Sequence, residues 1–213
     1  IIARVLDRDP EAEINQAWFA VRLTRALALR ERLFDAPFYR LIHAEADGLP
    51  GVVIDRFGDA AVIQPNAAWA EAHFEALVAA LMQVTGVTRV VKNGSGRSRV
   101  LEGLAEETAL VAGAIDSAIP VPMNGATYMA DVTGGQKTGL FFDQRPNHAF
   151  AARLARGASV LDVFSHVGGF ALAALAGGAA QALAVDASAA ALALAGQGAK
   201  ASGFADRFAT RQG

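Results

Sequence analysis

One stretch decides the fold of the last third of the chain: Val160-Leu161-Asp162-Val163-Phe164-Ser165-His166-Val167-Gly168-Gly169-Phe170. An apolar run over residues 159–164 has the length and composition of a strand, and it leads into a turn made of small residues. A helical pattern covers 168–175, and a second apolar run follows at Ala182–Asp186. The stretch therefore predicts two buried strands that are joined by a helix.

Helices are predicted on both sides of this stretch. Pro146 suits the first turn of a helix that continues to about Ala155, because the N–H that proline lacks is not needed there. Ser188 can cap a helix that continues to about Ser202 and ends at Gly203. The order helix, strand, helix, strand, helix is typical of the opening of a parallel α/β sheet.

The turn and the end of the second strand predict an adenosine-containing ligand. A turn of small residues lets a ligand approach the backbone and meet the free N–H groups of the next helix. Asp186 lies 18 residues after Gly168 and can accept hydrogen bonds from ribose hydroxyls. A diphosphate needs the full G-x-G-x-x-G, which is missing, so S-adenosylmethionine is the expected cofactor. Alternatively, Gly168-Gly169 serves helix–strand packing alone and Asp186 is an ordinary turn residue.

Two longer motifs resemble one enzyme family. They are Gly135-Gln136-Lys137-Thr138-Gly139-Leu140-Phe141-Phe142-Asp143-Gln144-Arg145-Pro146-Asn147 and Tyr39-Arg40-Leu41-Ile42-His43-Ala44-Glu45-Ala46-Asp47-Gly48-Leu49-Pro50-Gly51-Val52-Val53-Ile54-Asp55-Arg56-Phe57-Gly58-Asp59. With the strand-turn-helix stretch, they resemble the class I S-adenosylmethionine-dependent RNA methyltransferases that carry an N-terminal PUA domain. The best-known members of that family make 5-methylcytosine in the large-subunit ribosomal RNA. The resemblance covers about residues 35–203.

The resemblance implies roles for particular residues. Asp186 would hold the ribose, and His166 is interpreted as a loop residue that shields the cofactor. From the residues alone, Lys137 could be a solvated loop charge, Arg145 could pair with Asp143, and the two phenylalanines of the set could belong to the core. The residues implied near the methionine or adenosine end are Lys137, Thr138, Phe141, Asp143 and Arg145, and those of the first cofactor loop are Asp162, Phe164, Ser165, Gly168 and Gly169.

The rest of the chain is predicted to form a separate module. Residues 1–34 are interpreted as a linker and a helix after a missing PUA domain, 35–118 as a central domain, and 119–213 as the truncated N-terminal part of the methyltransferase domain. The expected fold class is an α+β central domain followed by the first half of an α/β Rossmann-like class I methyltransferase domain, present as a fragment. The predicted elements are helices at 16–33 and 67–83 (the second capped by Asn66), strands at 38–46, 51–56, 60–64, 89–93 and 109–114, a loop at 94–97, and a hairpin of 121–123 and 126–132 around Asn124-Gly125.

Composition excludes several classes of protein. Hydrophobic residues make up 53% and charged residues 19%, which rules out a disordered chain. No apolar run approaches the roughly 20 residues of a membrane span, no signal-peptide pattern is seen, and cysteine is absent. A cytoplasmic protein without a metal site is therefore expected. The net charge of −2 argues against a nucleic-acid-coating domain but allows contact with RNA through a local patch.

The predicted function is methyl transfer to a base of ribosomal RNA, with cytosine C5 as the expected target. That chemistry needs a cysteine thiolate that adds to C6, and no cysteine is present. The catalytic residue is therefore unknown and expected beyond Gly213, so this chain by itself is expected to be inactive. Two alternatives stay open: an NAD-type Rossmann enzyme, and a non-catalytic RNA-binding or assembly module with a vestigial methyltransferase half.

RNA is the expected partner, and a dimer is compatible with the sequence. The polar face of the first helix could contact RNA phosphates, although a solvated helix face is the favoured interpretation. The basic residues of that face are Arg22, Arg25, Arg30 and Arg32.

Overall fold

The computed structural model describes residues 3–134 and 138–213. The chain divides into two compact units, one up to Ile115 and one from Asp116. In the described ranges, no helix combines the length and the apolar character that a membrane crossing requires.

The first unit is built on a mixed sheet. Its helices and strands are α1 (Gln16–Leu33), β1 (Phe38–His43), β2 (Val52–Phe57), β3 (Ala60–Pro65), α2 (Ala68–Ala72), α3 (Phe74–Thr85), β4 (Arg89–Asn93), α4 (Arg97–Leu101) and β5 (Thr108–Ala112). The strands lie in the order β1-β2-β3-β4-β5, and each neighbouring pair is antiparallel except β3 and β4. The antiparallel meander predicted for β1 to β3 is confirmed.

Helix α1 belongs to the core of the first unit, and its predicted extent is confirmed. Asn15 caps it, because its side chain accepts a hydrogen bond from the Trp18 N–H at 3.0 Å. Buried apolar side chains recur at helical spacing, so one face of the helix packs into the same cluster as the strands and α3. The buried residues of this face are Trp18, Phe19, Leu23 and Ala26.

Aromatic rings form a cluster at one end of that face. Phe19 stacks on Trp69 with ring centroids 6.0 Å apart, and Trp18 meets Trp69 edge to face at 6.2 Å. Aromatic pairs at such distances add about 0.5–1.5 kcal/mol beyond the area that they bury. The cluster ties α1 to α2.

Several local predictions in the first unit are wrong. The helix predicted over 67–83 is two helices, because the backbone of His73 leaves the helical region between α2 and α3. Asn66 is not the cap, since Ala67 occupies that position without a side-chain bond. The loop predicted at 94–97 leads directly into helix α4 at Arg97, a short element that no apolar periodicity announced.

The second unit opens with the predicted hairpin. The helices and strands of the unit are β6 (Ile119–Met123), β7 (Ala126–Ala130), α5 (Arg145–Leu154), β8 (Ser159–Val163), α6 (Gly169–Ala176), β9 (Gln181–Asp186), α7 (Ala189–Ala201) and β10 (Phe208–Gln212). Strands β6 and β7 pair antiparallel. At their turn Asn124 (φ 52°) and Gly125 (φ 76°) both adopt the left-handed conformation that a tight hairpin turn requires.

A parallel sheet with the order β10-β9-β8 forms the rest of the second unit. The predicted alternation of strands and helices is confirmed, and Ser188 caps α7 by accepting a hydrogen bond from the Ala191 N–H at 3.2 Å. The sheet has one strand more than predicted, since β10 pairs with β9 from Phe208 to Gln212. Parallel strands end at the same edge of a sheet, so Val163 and Asp186 mark the edge at which ligands bind in such folds.

Strand β8 is not buried as predicted. It lies at the side of the sheet, with Leu161 63% and Val163 50% exposed. Because side chains alternate between the faces of a strand, Asp162 points towards α6 and is buried. The apolar composition of the strand indicated that both of its faces are buried. In the described part of the chain, no element covers the face that carries Leu161 and Val163, and composition cannot reveal this.

Candidate cofactor site

The loop that joins β8 to α6 has a strained backbone. Phe164 (φ 60°), His166 (φ 51°) and Gly168 (φ 79°) all lie in the left-handed region. For a residue other than glycine this conformation costs about 1–3 kcal/mol, and it clusters at ligand-binding loops. The loop is fixed to the neighbouring strand, since the Ser165 N–H donates to the Val185 carbonyl at 3.1 Å.

Asp162 organises the start of α6. Its buried carboxylate accepts a hydrogen bond from the Ala171 N–H at 3.0 Å. Burial raises the pKa of Asp162, and hydrogen bonds from the Ala171 and Phe170 N–H groups oppose that rise. The Gly169 N–H donates to the Ser165 carbonyl at 3.4 Å. The helix N–H groups that the sequence predicted to meet a ligand are therefore bonded within the protein, so that expectation is wrong.

Asp186 is held at the end of β9 by two backbone donors. The His166 N–H donates to its Oδ2 at 2.8 Å and the Ser188 N–H to its Oδ1 at 2.8 Å. Burial raises the pKa of this carboxyl, but the hydrogen bonds from the Ser188 and His166 N–H groups outweigh burial and lower it. Each carboxylate oxygen has a further lone pair, so the ionised side chain can also accept hydroxyl groups of a ligand.

A cavity of about 330 Å³ lies at this edge of the sheet, within the size range of small-ligand sites. Asp131 and Asp186 line it, and its described lining residues include neither lysine nor arginine. Carboxylate oxygens in the wall can accept hydrogen bonds from hydroxyl groups of a ligand. The described part of the chain holds no cluster of three His, Asp or Glu side chains that could bind a metal. The lining residues are Asp131, Gly134, Gly139, Phe141, Phe164, His166, Val167, Asp186, Ser188, Ala190, Ala191 and Leu194.

Aromatic side chains form part of the cavity wall. Phe141 and His166 meet edge to face with ring centroids 5.1 Å apart. Burial lowers the pKa of His166 although the charge of Asp186 opposes the change, so the imidazole is neutral at pH 7. Phe164 is 90% exposed at the rim, which is unusual for a phenylalanine and leaves its ring face open. The two phenylalanines are therefore not core residues.

The structure brings only some of the predicted site residues to the cavity. Phe141, Phe164 and Asp186 line it. Lys137 lies outside the described residues. The remaining predicted residues are not among those that line the cavity, and these are Thr138, Asp143, Arg145, Asp162, Ser165, Gly168 and Gly169.

The two glycines of the loop have packing roles, as the alternative interpretation of the sequence allowed. Gly168 adopts a left-handed conformation, and a Cβ there would lie 3.2 Å from the Ala195 Cβ of α7. A Cβ at Gly169 would lie 2.6 Å from two ring atoms of His148. His148 is buried between Tyr128 and the Phe170 ring, which it meets edge to face at 4.5 Å. Sequence reasoning assigned no role to this histidine, because it carries no motif.

Sequence reasoning also missed part of the cavity wall. The sequence predicted the start of α7 only as a capped helix. In the structure this segment lines the cavity with Ser188, Ala190, Ala191 and Leu194. Asp131 follows strand β7, and its Oδ1 accepts the Thr133 and Gly134 N–H groups. An aspartate followed by Thr and Gly is a turn signal, but it does not reveal which cavity the turn faces.

The arginines of α1 are only partly available to RNA. Arg22 pairs with Asp7 at 2.8 Å and its guanidinium carbon lies 3.3 Å from the centre of the Trp18 ring. Arg30 forms a bidentate pair with Asp47 at 2.7 and 2.6 Å. Those two arginines therefore stabilise the first unit, whereas Arg25 and Arg32 are exposed.

A family model described as S-adenosylmethionine-dependent methyltransferase matches residues 68–205, which is more than half of the chain. The chain belongs to this methyltransferase family. The expected cofactor is therefore confirmed at the level of the family, and the NAD-type alternative is not supported.

Two relatives of this chain carry the same name. Ribosomal RNA large subunit methyltransferase I of Tolumonas auensis is 40% identical over 197 residues, which cover 90% of this chain and 50% of the relative. The protein of the same name from Alteromonas mediterranea is 38% identical over 200 residues, which cover 92% and 50%. The chain spans about half the length of the curated relatives that it matches.

Two solved structures share the fold of this chain. A protein from Streptococcus mutans described as an S-adenosylmethionine-dependent methyltransferase aligns with a TM-score of 0.80 at 23% identity, covering 94% of this chain and 53% of that one. A methyltransferase complexed with S-adenosylhomocysteine aligns with a TM-score of 0.79 at 24% identity, covering 94% and 52%. These likenesses show that the chain has a methyltransferase fold.

Proposed function

We propose that this protein transfers a methyl group from S-adenosylmethionine to a base of large-subunit ribosomal RNA. The observation that carries the proposal is the cavity at the carboxyl edge of the parallel sheet, which joins Asp186 to the aromatic side chains Phe141, Phe164 and His166. The names of the relatives support ribosomal RNA as the substrate.

The side chains of the cavity fit this cofactor. Asp186 is ionised and oriented, so it would accept hydrogen bonds from the ribose hydroxyls. Phe141 and Phe164 offer ring faces or edges to the adenine and to the sulfonium group. A neutral His166 adds no positive charge that would repel the sulfonium. When bound, S-adenosylmethionine supplies an electrophilic methyl group.

Other residues of the predicted set would act indirectly. Asp162 fixes the first turn of α6, and the left-handed Gly168 lets the loop turn against α7. Together they hold Phe164 and His166 at the cavity, and an ordered wall reduces the entropy that cofactor binding must overcome. Thr138, Asp143 and Arg145, with Lys137, remain proposed contacts of the methionine or adenosine end.

The finer parts of the proposal concern the target atom and the domains. We place the methyl group on cytosine C5, which needs a cysteine thiolate; these residues contain none, so the thiolate has to come from outside them. A base in folded RNA must also be unstacked to reach the cavity. Residues 35–118 would form a central α+β domain, and 119–213 the first part of the catalytic domain.

Calorimetric titration of the full-length protein tests the cofactor. S-adenosylhomocysteine should bind saturably and NAD should not. Asp186→Asn should weaken S-adenosylhomocysteine binding by about 1–3 kcal/mol, because a charged acceptor of the ribose is lost. The matched control is Asp206→Asn, an exposed aspartate of the same unit, which should leave affinity unchanged. Binding of NAD alone would overturn the proposal.

A second experiment tests the substrate. The full-length protein is incubated with isotopically labelled S-adenosylmethionine and unmodified large-subunit ribosomal RNA, and the nucleosides are then separated by mass spectrometry. Label in 5-methylcytidine supports the full proposal, and label in another nucleoside contradicts the target atom alone. Cofactor binding without methylation of any RNA would favour the non-catalytic module.

A further inference from the structure

Helix α5 has an exposed face that takes no part in the cofactor cavity. The helix packs on α6 with its opposite side, where His148 is buried against Gly169 and the Phe170 ring. On the outer face Phe150 is 56% exposed and Leu154 is 71% exposed. Apolar side chains that are exposed side by side mark interaction surfaces, whereas isolated ones are ordinary. The outer face of α5 is therefore a candidate binding surface.

Arginines extend this face. Arg153 follows Phe150 by three residues, on the same side of the helix, and its guanidinium carbon lies 5.2 Å from the centre of the Phe150 ring. Arg156 comes just after the helix, and both arginines are exposed. Neither belongs to an ion pair between described residues, and the residues outside the described ranges contain no carboxylate side chain.

Carboxylates are scarce along this part of the chain. Residues 144–185 include α5 and α6 and contain a single acidic residue, Asp162, which is buried. The outer face of α5 therefore keeps its positive charge, although the net charge of the whole chain is −2. A local excess of cations on a surface attracts polyanions.

RNA fits both the charge and the aromatic ring of this face. Arginine pairs with phosphate groups, and unpaired bases stack on aromatic rings and on guanidinium planes. A protein partner that covered the same face would bury two arginines, which is costly unless it supplies carboxylates for them. RNA supplies a negative charge with every nucleotide, so it is the occupant that the charges favour.

The position of the face also suits an RNA substrate. Helix α5 begins at Arg145, four residues after Phe141 of the cavity wall. Phe150 lies roughly 8 Å further along the helix, because each residue adds about 1.5 Å. The face is therefore close enough to the cavity to bind nucleotides that flank a target base.

We propose that the outer face of α5 binds the RNA strand beside the target base. Arg153 and Arg156 contact phosphates, and Phe150 stacks on an unpaired base. This assignment rests on the proposed function and adds a substrate-binding surface to it.

Binding of unmodified large-subunit ribosomal RNA to the full-length protein, measured on filters over a series of salt concentrations, tests the assignment. The double variant Arg153→Gln, Arg156→Gln should bind RNA about tenfold more weakly near 0.1 M salt. The slope of log affinity against log salt should become shallower by about 1.5, since two phosphate contacts are lost. Lys200→Gln removes an exposed cation of α7 and is the control, with affinity and slope unchanged.

Phe150 is tested by two variants. Phe150→Ala should weaken RNA binding about tenfold and leave the salt slope unchanged, because stacking releases no counterions. Phe150→Trp keeps a ring on which a base can stack and should retain the affinity. Each variant should bind S-adenosylhomocysteine as the wild type does in calorimetry, which shows that it is folded.

The outcomes distinguish the assignment from the proposed function. If the arginine variant keeps the affinity and the salt slope of the wild type, or changes no more than Lys200→Gln does, the RNA-binding face is overturned. The proposed function then stands, provided that the wild type methylates the RNA. A wild-type protein that binds S-adenosylhomocysteine but no RNA would overturn both the proposed substrate and this assignment.

Discussion

The two units of the chain hold their charged groups in different ways. In the first unit, carboxylates are paired with cations: Arg99, which is 2% exposed, bonds to Glu71 at 2.9 Å, and Lys92 bonds to the same glutamate at 2.5 Å. Eight ion-pair contacts between described residues lie in this unit. In the second unit, Asp162 and Asp186 accept hydrogen bonds from backbone N–H groups.

This difference separates a charge used for stability from a charge kept for a ligand. An opposite side chain cancels a carboxylate, whereas backbone donors orient it and leave its net charge in place. Left-handed residues other than glycine occur in both units, but two of those in the second unit, Phe164 and His166, line the cavity. Such features are typical of binding regions.

The largest expected effect removes a paired charge from the first unit. Glu71→Ala leaves the buried Arg99 guanidinium without its carboxylate, so the free energy of unfolding should fall by about 3–5 kcal/mol. Urea unfolding followed by circular dichroism measures the loss. Glu31→Ala, which removes an exposed glutamate of α1, should change it by less than about 0.5 kcal/mol.

A small effect of Glu71→Ala would mean that the ion pairs of the first unit do not stabilise it, and the contrast between the units would fail. If the alanine variant does not fold, Glu71→Gln provides a milder test, since an amide oxygen can still accept from Arg99. The affinity for S-adenosylhomocysteine should be unaffected in any folded variant, because Glu71 lies outside the cavity.

The next effect is a pH dependence that comes from the second unit. Burial lowers the pKa of His148 from 6.5 to about 4, although the charge of Asp143 opposes it. Between these values the unfolded chain binds a proton that the folded chain does not, so stability falls as the pH is lowered. The expected loss is about 2 kcal/mol between about pH 7.5 and pH 5. A histidine that pairs with a carboxylate would have a raised pKa in the folded chain, and stability would then increase as the pH is lowered.

Unfolding of the wild type and of His148→Leu at both pH values measures this dependence. In the leucine variant the unfolding free energy should depend much less on pH. The remaining dependence includes a contribution from His166, because burial also lowers the pKa of that histidine. His43→Gln is the control, since that histidine is exposed. Equal slopes in wild type and His148→Leu would show that His148 is not held neutral by its surroundings.

The smallest effect contrasts two glycines of the second unit. Gly169→Ala forces a Cβ against the His148 ring and should destabilise by about 1–3 kcal/mol. Gly196 lies inside α7 with open space around its missing Cβ, so Gly196→Ala should stabilise by about 0.5–1 kcal/mol. Thermal melting of both variants shows whether stability falls for Gly169→Ala and rises for Gly196→Ala. A neutral Gly169→Ala would contradict the packing role.

The sequence predicted those elements whose signals are local. Helix α1, the hairpin at Asn124-Gly125 and the cap at Ser188 were all correct, because periodicity, turn chemistry and capping act within a few residues. Strand β10 was missed because Phe208–Gln212 combines one aromatic residue with polar ones and shows no strand pattern. The break at His73 has no glycine or proline to announce it.

The sequence placed Asp186 at the end of a strand, and the structure has it there in the cavity wall, whereas its contact with a cofactor stays a prediction. Asp186 could be found because strand, turn and acidic residue follow one another along the chain. Asp131 could not, since its place in the cavity depends on how the hairpin packs beside the sheet. The carboxylate of Asp162 has the same chemistry as that of Asp186, and only burial against α6 separates their roles.

The aromatic cluster of the first unit gives the molecule an optical label. Both tryptophans of the chain, Trp18 and Trp69, belong to it, and the second unit contains none. Tryptophan fluorescence, excited at the red edge of the protein absorption band, therefore reports on the environment of the first unit alone. A destabilised second unit would lose its ellipticity while that emission stays constant, so the two signals can be read separately in a single sample.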